Sequence, residues 1–355
     1  MITDLRLQNF RSYTDESFEL SPGVNIVVGP NASGKTNLLE AVLVLARGGS
    51  YRASDADLIS FDQPWARLDA HLSTNSLRTV KITTEPRPAK AYEIEGKPYK
   101  RLSLSLSLPV VLFEPNDLQL LSGGPQRRRD YLDDLLEQTT PGYGTLRRQY
   151  KRALAQRNSL LKQPGSAIQN QIFPWNVRLS QIAGQIVRYR TQLVAEISES
   201  VGSLYTELSQ TSTNVSVVYA GRWANDVYET SLLNQLESSV DLDRLRGFTA
   251  YGPHREDLTV LFDGRPTAET ASRGETRTAV LALKIIELRF LKTARGVTPL
   301  LLLDDVFSEL DGKRRHALTD YLAPYQTFIT TTDADLAVQH FAHNCNVIPL
   351  GSLKN

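Results

Sequence analysis

The chain has 355 residues, of which 41% are hydrophobic and 22% charged, and its formal net charge is +1 at pH 7. This length exceeds one typical core, so two domains of ordinary globular composition are expected. The lone Cys345 excludes an internal disulfide framework. The first ten residues lack an apolar signal core, and no uncharged apolar run is long enough to span a membrane, which predicts a cytoplasmic protein without membrane contact.

The first third of the chain is predicted to be rich in β-structure. Leu5 and Leu7 alternate with polar residues, and residues 24–28 form a short apolar run that ends in a glycine-containing loop. Residues 35–47 are rich in helix formers and nearly all apolar after the first turn, which predicts a helix buried against a sheet. Further strands are predicted at 66–72, 80–84, 92–96 and 110–113.

The middle of the chain is predicted to be helical, because apolar residues recur there at steps of three and four between about 125 and 210. The strongest stripe predicts one long helix, or two with a break near Gly184 or Gly202, and Pro174 sits where a helix start tolerates proline. The members of this stripe are Leu179, Ile182, Ile186, Tyr189, Leu193, Ile197, Val201, Leu204 and Leu208.

After about residue 246 strands and helices alternate again, which predicts a largely parallel sheet. A strand at 258–263 enters a turn at Asp263-Gly264. A helix is predicted over 276–293, and buried strands are predicted at 299–303 and 327–331.

A glycine-rich loop of the pattern G-x-x-x-x-G-K-T occupies residues 29–36, between the predicted strand and helix. In such a loop the backbone N–H groups and the helix N-terminus hold phosphate, the lysine reaches the β- and γ-phosphates, and the threonine hydroxyl binds Mg²⁺. A chance match has odds on the order of one in a hundred, and the strand and helix on either side further disfavour a mere glycine turn. The candidate residues for ATP are Gly29, Pro30, Asn31, Ala32, Ser33, Gly34, Lys35, Thr36 and Asn37.

Four consecutive leucines at 300–303 lead into Asp304 and Asp305. A buried strand of this kind delivers carboxylates at its carboxyl end, where open α/β sheets bind ligands. Asp304 is the candidate Mg²⁺ ligand, and Asp305, together with Lys35, is the candidate catalytic residue, orienting or deprotonating the attacking water. The alternative, a strand that merely ends in acidic turn residues, is disfavoured by the glycine-rich loop.

A third motif, around Ser272 and Gly274, stands just before the predicted helix at 276–293. A hydroxyl and a glycine N–H at a helix start can form a second anion-binding surface. As a pattern this motif is weak, because a helix N-cap explains Ser272 equally well.

Taken together, these motifs resemble the ABC-type ATPases of the Rad50 and SMC group and, within that group, the RecF family. The resemblance extends over almost the whole chain, and its segments are 5–13, 34–41, 50–52, 113–118, 124–128, 251–258 and 304–311. It implies an α/β fold in which an ABC-ATPase-like P-loop head is split by an inserted helical arm domain. Residues 1–120 would form the N-terminal half of the head, 121–246 the arm and 247–355 the C-terminal half.

The chain departs from the pattern of this group at three positions. Glu275 stands where a glutamine is usual, Asp305 stands where ABC ATPases generally carry glutamate, and residues 330–332, in the switch region, contain no histidine. A second aspartate is normal for RecF-like proteins. A transporter-type ABC subunit predicts the glutamate and the histidine, so these departures disfavour that alternative.

The resemblance also implies a mechanism and partners. ATP would join two copies head to tail, with Ser272, Gly274 and Asp311 of each copy completing the nucleotide site of the other. The dimer would be a slow, DNA-stimulated ATPase that binds duplex DNA and single-strand/double-strand junctions at gaps. With RecR, and through it RecO, it would help load RecA recombinase and support replication restart and the SOS response.

The direct indications of DNA binding in the residues themselves are three basic residues on a predicted hairpin, Lys97, Lys100 and Arg101, and a basic cluster further along the chain. Its members lie on adjacent turns of a predicted helix and could contact phosphates. They are Arg147, Arg148, Lys151 and Arg152. A solvated basic face is the commoner explanation, and the near-zero net charge does not decide between the two.

Two other enzyme classes remain as alternatives. A P-loop kinase for a small molecule would usually carry its acidic partner closer in sequence and would not need Ser272. A nuclease of the overcoming-lysogenisation-defect type pairs a similar ATPase with a carboxylate-rich domain, for which we expect no room before Asn355.

Overall fold

The computed structural model describes residues 1–163, 168–333, 341 and 345–351. The strands are, in chain order, β1 (Ile2–Phe10), β2 (Tyr13–Glu19), β3 (Val24–Val28), β4 (Trp65–Leu72), β5 (Leu77–Thr83), β6 (Ala89–Ile94), β7 (Lys97–Tyr99), β8 (Val110–Phe113), β9 (Val215–Ala220), β10 (Asp257–Phe262), β11 (Arg265–Pro266), β12 (Leu300–Asp304), β13 (Thr327–Thr331) and β14 (Cys345–Pro349).

The α-helices alternate with these strands at both ends of the chain and dominate its middle. They are α1 (Lys35–Arg47), α2 (Pro125–Thr139), α3 (Tyr143–Leu161), α4 (Ile168–Ser209), α5 (Tyr228–Ser238), α6 (Val240–Arg246), α7 (Thr267–Thr270), α8 (Arg273–Arg295), α9 (Val306–Glu309) and α10 (Gly312–Leu322). Across the part of the chain that the structure describes, no helix combines the length and the apolar character needed to cross a bilayer.

The chain divides into two compact units. The first, which we call the head unit, comprises Met1–Leu118 and Glu287–Asn355, and the second, the middle unit, comprises Gln119–Ile286. The middle unit therefore continues well past residue 246, the predicted end of the arm. It does so because β10 pairs antiparallel with β9 along its whole length, which ties residues 257–262 to the helical segment.

The head unit holds its nucleotide motifs on a five-stranded parallel sheet with the order β14-β3-β13-β12-β8. All five residues of β12 and all five of β13 are buried, as expected of strands covered on both faces. Since β13 lies between β3 and β12, the carboxyl ends of all three strands meet at one edge of the sheet. This pairing brings the loop after β3 next to the acidic residues at the end of β12.

A second sheet of the head unit is antiparallel, with the order β2-β1-β4-β5-β6-β7. Helix α1 contacts strands of both sheets, which explains why it is buried at every position from Leu38 to Ala46. The helix ends where Gly48 adopts a left-handed backbone (φ 81°), a conformation that favours glycine.

The middle unit is built around α4, a single helix of 42 residues that packs against α3, α5 and β9. The predicted alternative of a break near Gly184 or Gly202 is wrong. A Cβ atom on Gly184 would lie 2.2 Å from Glu229 of α5, and one on Gly202 would lie 2.9 Å from the carbonyl oxygen of Val215. Both glycines therefore mark close packing rather than helix ends.

Pro174 lies inside α4 and not at its start, so that prediction is also wrong. Proline is unfavourable within a helix because it lacks an N–H donor and crowds the preceding turn. The extensive packing of α4 outweighs this local cost, as tertiary contacts commonly outweigh propensity.

Candidate nucleotide-binding site

The loop between β3 and α1 has a backbone that only certain residues tolerate. Gly34 has φ 96° and Ala32 has φ 66°, both in the left-handed region. The carbonyl oxygen of Gly34 accepts a hydrogen bond of 3.0 Å from the Tyr13 hydroxyl. A Cβ atom on Gly34 would lie 3.0 Å from the Ser12 hydroxyl, so strain and crowding together require glycine here.

Lys35 is buried, with a relative exposure of 5%. Its Nζ atom donates to the carbonyl oxygens of Gly29 and Pro30, at 2.9 and 3.1 Å. Phosphate oxygens are charged and therefore stronger acceptors than these carbonyls, so the ammonium group is available to a ligand in the loop.

Ser33 gives a second indication that the loop suits an anion. Its hydroxyl oxygen is buried and has no hydrogen-bond partner among the described residues. Buried polar groups are normally satisfied, so an orphaned hydroxyl beside a buried lysine fits a site that a phosphate group completes.

Asp304 ends β12 and is surrounded by hydroxyl groups. Its Oδ1 atom accepts hydrogen bonds from Thr36 Oγ1 at 3.0 Å and from Thr330 Oγ1 at 2.8 Å. Its Oδ2 atom accepts one from the Tyr51 hydroxyl at 3.2 Å. The contact between Thr36 and Asp304 joins the two motifs that the sequence analysis paired.

These oxygen atoms suit Mg²⁺, which prefers hard oxygen ligands and commonly binds one or two protein groups, with phosphate and water completing its shell. Thr36 and Asp304 would hold the ion, and it would supply charge neutralisation at the β- and γ-phosphates. Among the described residues no group of three or more histidine, cysteine or acidic side chains is placed to hold a metal ion.

Asp305 follows Asp304 with an unusual backbone. Its φ of 54° lies in the left-handed region, and its N–H donates to Thr330 Oγ1 at 2.8 Å. Burial raises the pKa of Asp305, and the charge of Asp304 adds to this while Lys35 opposes it. A carboxylate whose pKa is raised is a better proton acceptor for a water molecule.

A second network beside the loop escaped the sequence analysis. Glu40 of α1 is fully buried and accepts hydrogen bonds from Arg11 at 2.8 Å, from Arg52 at 3.0 Å and from the Ser50 hydroxyl at 2.5 Å. Burial disfavours its charge, but these donors outweigh burial and hold the pKa of Glu40 below its usual range. The network fixes the segment that carries Tyr51 against α1.

The sequence did contain a signal for this network. Glu40 is the single carboxylate of α1 and interrupts an apolar run from Leu38 to Ala46, and a buried charge of this kind requires a partner. Arg52 also donates to Asn37 Oδ1 at 2.7 Å, which links the network to the first turn of α1.

Ser272 and Glu275 form a reciprocal capping box at the start of α8. The Ser272 N–H donates to Glu275 Oε2 at 2.7 Å, and the Glu275 N–H donates to the Ser272 hydroxyl at 3.3 Å. Glu275 therefore has a structural role, and its pKa is lowered by the hydrogen bonds from Ser272. Ser272 is exposed and Gly274 is half-buried.

Asp311 likewise caps a helix. Its carboxylate accepts a hydrogen bond of 3.0 Å from the Arg314 N–H in the first turn of α10, and it forms an ion pair with the Arg314 side chain. Like Ser272, Asp311 is exposed while serving as a cap.

The four basic candidates for DNA contact all lie on α3, but they differ in environment. Arg147 forms ion pairs with Asp130 and Asp133 at 2.9 Å and with Glu137 at 3.0 Å. Its guanidinium is engaged by these three carboxylates, whereas the other three candidates are more accessible to a ligand. These exposed residues are Arg148, Lys151 and Arg152.

Comparison with known proteins places this geometry in a family. Residues 1–348 match the RecF/RecN/SMC N terminal domain family. The DNA replication and repair protein RecF of Halothermothrix orenii is 36% identical over 346 residues, which cover 94% of this chain and 92% of that protein.

Solved structures agree with the sequence comparison. A structure of the recombination mediator protein RecF-ATP in the RecFOR pathway has a TM-score of 0.82 and 29% identity, covering 94% of this chain and 92% of that one. The Smc head domain of Pyrococcus furiosus, with a TM-score of 0.50 and 16% identity, shares the fold. The predicted ABC-ATPase-type α/β fold is therefore confirmed, and the chain belongs to the RecF family.

Proposed function

We propose that this protein is an ATP-dependent DNA-binding protein of recombinational DNA repair, in which ATP acts as a switch. The observation that carries the proposal is the 3.0 Å hydrogen bond between Thr36 and Asp304. It joins a phosphate-binding loop to an acidic pair across a parallel sheet, as ATP hydrolysis requires. The RecF-ATP structure, which matches nearly the whole chain, supports ATP as the nucleotide.

Hydrolysis would use the residues at the edge of the five-stranded sheet. Lys35 would leave its carbonyl partners for the β- and γ-phosphates, and Asp305 would orient and deprotonate the attacking water. An aspartate is one methylene shorter than a glutamate, and small misplacements of a base slow a reaction considerably. We therefore propose slow turnover, suited to a switch.

The switch would operate through dimerisation. Ser272, Gly274 and Asp311 would contribute to the nucleotide held by a second copy, and a two-fold dimer would contain two such sites. The exposure of Ser272 and Asp311 supports this role, because both side chains remain accessible while they cap their helices. ATP would favour the dimer because the dimer alone completes the ligand set of the phosphate.

The biological setting follows from the relatives. They are named DNA replication and repair protein RecF and, in a solved structure, a recombination mediator of the RecFOR pathway. We propose that this protein likewise binds duplex DNA and gap junctions, acts with RecR and RecO to load RecA, and supports replication restart and the SOS response.

A binding titration on gapped duplex DNA tests this function directly. Wild-type protein should bind more tightly with ATP than without it, while Lys35→Arg, which cannot place its charge on the phosphates in the same way, should bind equally with and without ATP. Lys313→Arg, an exposed control on α10, should behave as wild type. Wild-type binding that ignores ATP would contradict the proposal.

The salt dependence of the same titration locates the DNA surface. Each phosphate contact contributes roughly 0.9 to the slope of log affinity against log salt concentration. Replacing Arg148, Lys151 and Arg152 together by alanine should therefore lower that slope by up to about 3. An unchanged slope in the triple variant would exclude the exposed face of α3 as a DNA contact.

A further inference from the structure

Thr330 lies at the carboxyl end of β13, between the two carboxylate residues at the end of β12. It is fully buried, with a relative exposure of 0%. Its hydroxyl donates to Asp304 Oδ1 at 2.8 Å and accepts a hydrogen bond of 2.8 Å from the Asp305 N–H. One hydroxyl group thus contacts both residues of the acidic pair.

The directions of these two hydrogen bonds are fixed by chemistry. A hydroxyl carries one proton, and an ionised carboxylate can only accept, so Thr330 donates to a carboxylate: to Asp304 at 2.8 Å, with the Asp305 carboxylate as a second acceptor for the same hydroxyl. The oxygen lone pairs then face the Asp305 N–H, which can only donate. The register of the sheet, in which Thr330 stands directly opposite Asp304, holds the hydroxyl at this point.

The hydrogen bond between Thr330 and Asp305 matters because the backbone of Asp305 has a strained conformation. A left-handed conformation at a residue other than glycine costs roughly 1 to 3 kcal/mol and persists only where the surroundings impose it. The hydrogen bond from the Asp305 N–H to Thr330 is one such constraint. Without it, the backbone of Asp305 would be free to relax, and its carboxylate would lose a defined direction.

We propose that Thr330 is a positioning residue for ATP hydrolysis, which holds the Asp304 carboxylate toward the metal and fixes the backbone from which Asp305 reaches the water. The inference rests on the proposed ATPase function. Serine retains both hydrogen bonds, whereas valine has nearly the shape of threonine and retains neither. Substitutions at position 330 therefore separate the hydroxyl from the packing.

Four variants test the inference: Thr330→Val, Thr330→Ser, Thr330→Ala as a smaller replacement in case valine does not fold, and Thr327→Val as a matched control. Thr327 is on the same strand, is equally buried and donates its hydroxyl to the Tyr325 carbonyl, away from the acidic pair. The measurements are kcat for ATP, the affinity for Mn²⁺ with adenylyl imidodiphosphate by electron paramagnetic resonance, and the unfolding temperature.

Thr330→Val should lower kcat and the Mn²⁺ affinity by roughly 10- to 100-fold, the usual effect of removing a partner that orients a metal ligand. Nucleotide affinity in EDTA should stay unchanged, because the side-chain hydrogen bonds of Thr330 go to Asp304 and Asp305 and not to the phosphate-binding loop. Thr330→Ser should recover most of both losses. Thr327→Val should lower the unfolding temperature by about as much as Thr330→Val does. It should leave kcat and the Mn²⁺ affinity unchanged.

The inference is overturned if Thr330→Val keeps wild-type kcat and Mn²⁺ affinity, or if Thr327→Val loses as much as Thr330→Val. Either result leaves the ATPase function standing. A wild-type protein that neither hydrolyses ATP nor binds Mn²⁺ with the nucleotide analogue would contradict the proposed function, and the role of Thr330 would fall with it.

Discussion

Two buried groups of charged side chains, one in each unit of the molecule, have different kinds of partner. At the nucleotide site of the head unit, Lys35 donates to backbone carbonyls and Asp304 accepts from hydroxyl groups. In the middle unit, Arg157 and Asp243 form an ion pair of 2.8 Å with both side chains fully buried. Lys35 and Asp304 therefore have neutral hydrogen-bond partners, whereas Arg157 and Asp243 neutralise each other.

This difference indicates which charges are available for chemistry. A carbonyl or hydroxyl partner can give way to phosphate or metal with little electrostatic loss, because the ligand brings the stronger charge. A buried ion pair cannot open in this way, since each charge would be left uncompensated in a medium of low dielectric constant. The partner of a charged group, more than its burial, separates site from scaffold here.

Asp305→Asn should give the largest functional effect and tests the part of the comparison that concerns the head unit. We expect kcat for ATP to fall by roughly 10²- to 10⁴-fold, the range attributed to a positioned proton acceptor. The raised pKa of Asp305 means that folding disfavours its charge, so a neutral asparagine should leave the unfolding temperature equal or higher.

Steady-state kinetics and calorimetry would measure these two effects on the same sample. Asp320→Asn, an exposed substitution on α10, should match wild type in both measurements. Normal hydrolysis by Asp305→Asn would show that this carboxylate is not the base.

Arg157→Leu tests the scaffold side of the comparison. The arginine also donates to Asn176 at 2.7 Å and to Thr249 at 2.7 Å, so its loss leaves Asp243 buried and poorly compensated. Removing one partner of a buried pair typically costs about 3 to 5 kcal/mol in the free energy of unfolding. Nucleotide affinity of the folded protein should not change.

Urea denaturation would measure the loss, with Arg188→Leu as the control. Arg188 pairs with Glu229 at 3.0 Å, but both side chains are well exposed, and such pairs contribute at most about 1 kcal/mol. The double variant Arg157→Leu with Asp243→Leu should recover part of the stability, because no charge remains buried alone. If Arg157→Leu and Arg188→Leu lost the same free energy of unfolding, buried and exposed ion pairs would not differ in the way described here.

His254 gives a smaller effect that depends on pH. Burial and the nearby arginines at 255, 129 and 190 lower the pKa of His254 to about 4, although its hydrogen bond to the Thr249 carbonyl opposes the shift. The folded protein therefore favours the neutral ring. The stability from this group is complete above the ordinary pKa of about 6.5 and is lost as pH falls toward 4.

We expect wild-type protein to lose about 2 kcal/mol from this source between pH 7 and pH 5, measured as the change in unfolding free energy. His254→Gln should lack that component, whereas His316→Gln, which changes an exposed histidine, should retain it. An identical pH dependence in His254→Gln and wild type would contradict the assignment.

The nucleotide loop and its flanking elements could be predicted because their signals are local. The predicted bounds of α1 and of β13 agree with the structure residue for residue, since apolar periodicity and glycines specify them within a few turns. The pairing of Thr36 with Asp304 was also predicted, because strands that bear such motifs meet at one sheet edge.

Other features depend on contacts between distant segments and left no local pattern. The position of Thr330 beside Asp304 requires knowing that β13 lies between β3 and β12. The ion pairs of Arg147 can be predicted only when the packing of α2 against α3 is known. The position of Pro174 inside α4 is set by the packing of that helix and not by the helix propensity of proline. Residues within local motifs were therefore easier to predict than the distant residues that hold them in place.

Strand β3, which delivers the phosphate-binding loop, has β13 on one side and β14 on the other. Both partners come after the entire middle unit in the order of synthesis. On the ribosome, the loop therefore emerges long before the sheet that supports it can assemble. A nascent or prematurely terminated polypeptide that lacks β12 and β13 cannot form this pocket, because it lacks both Asp304 and Thr330.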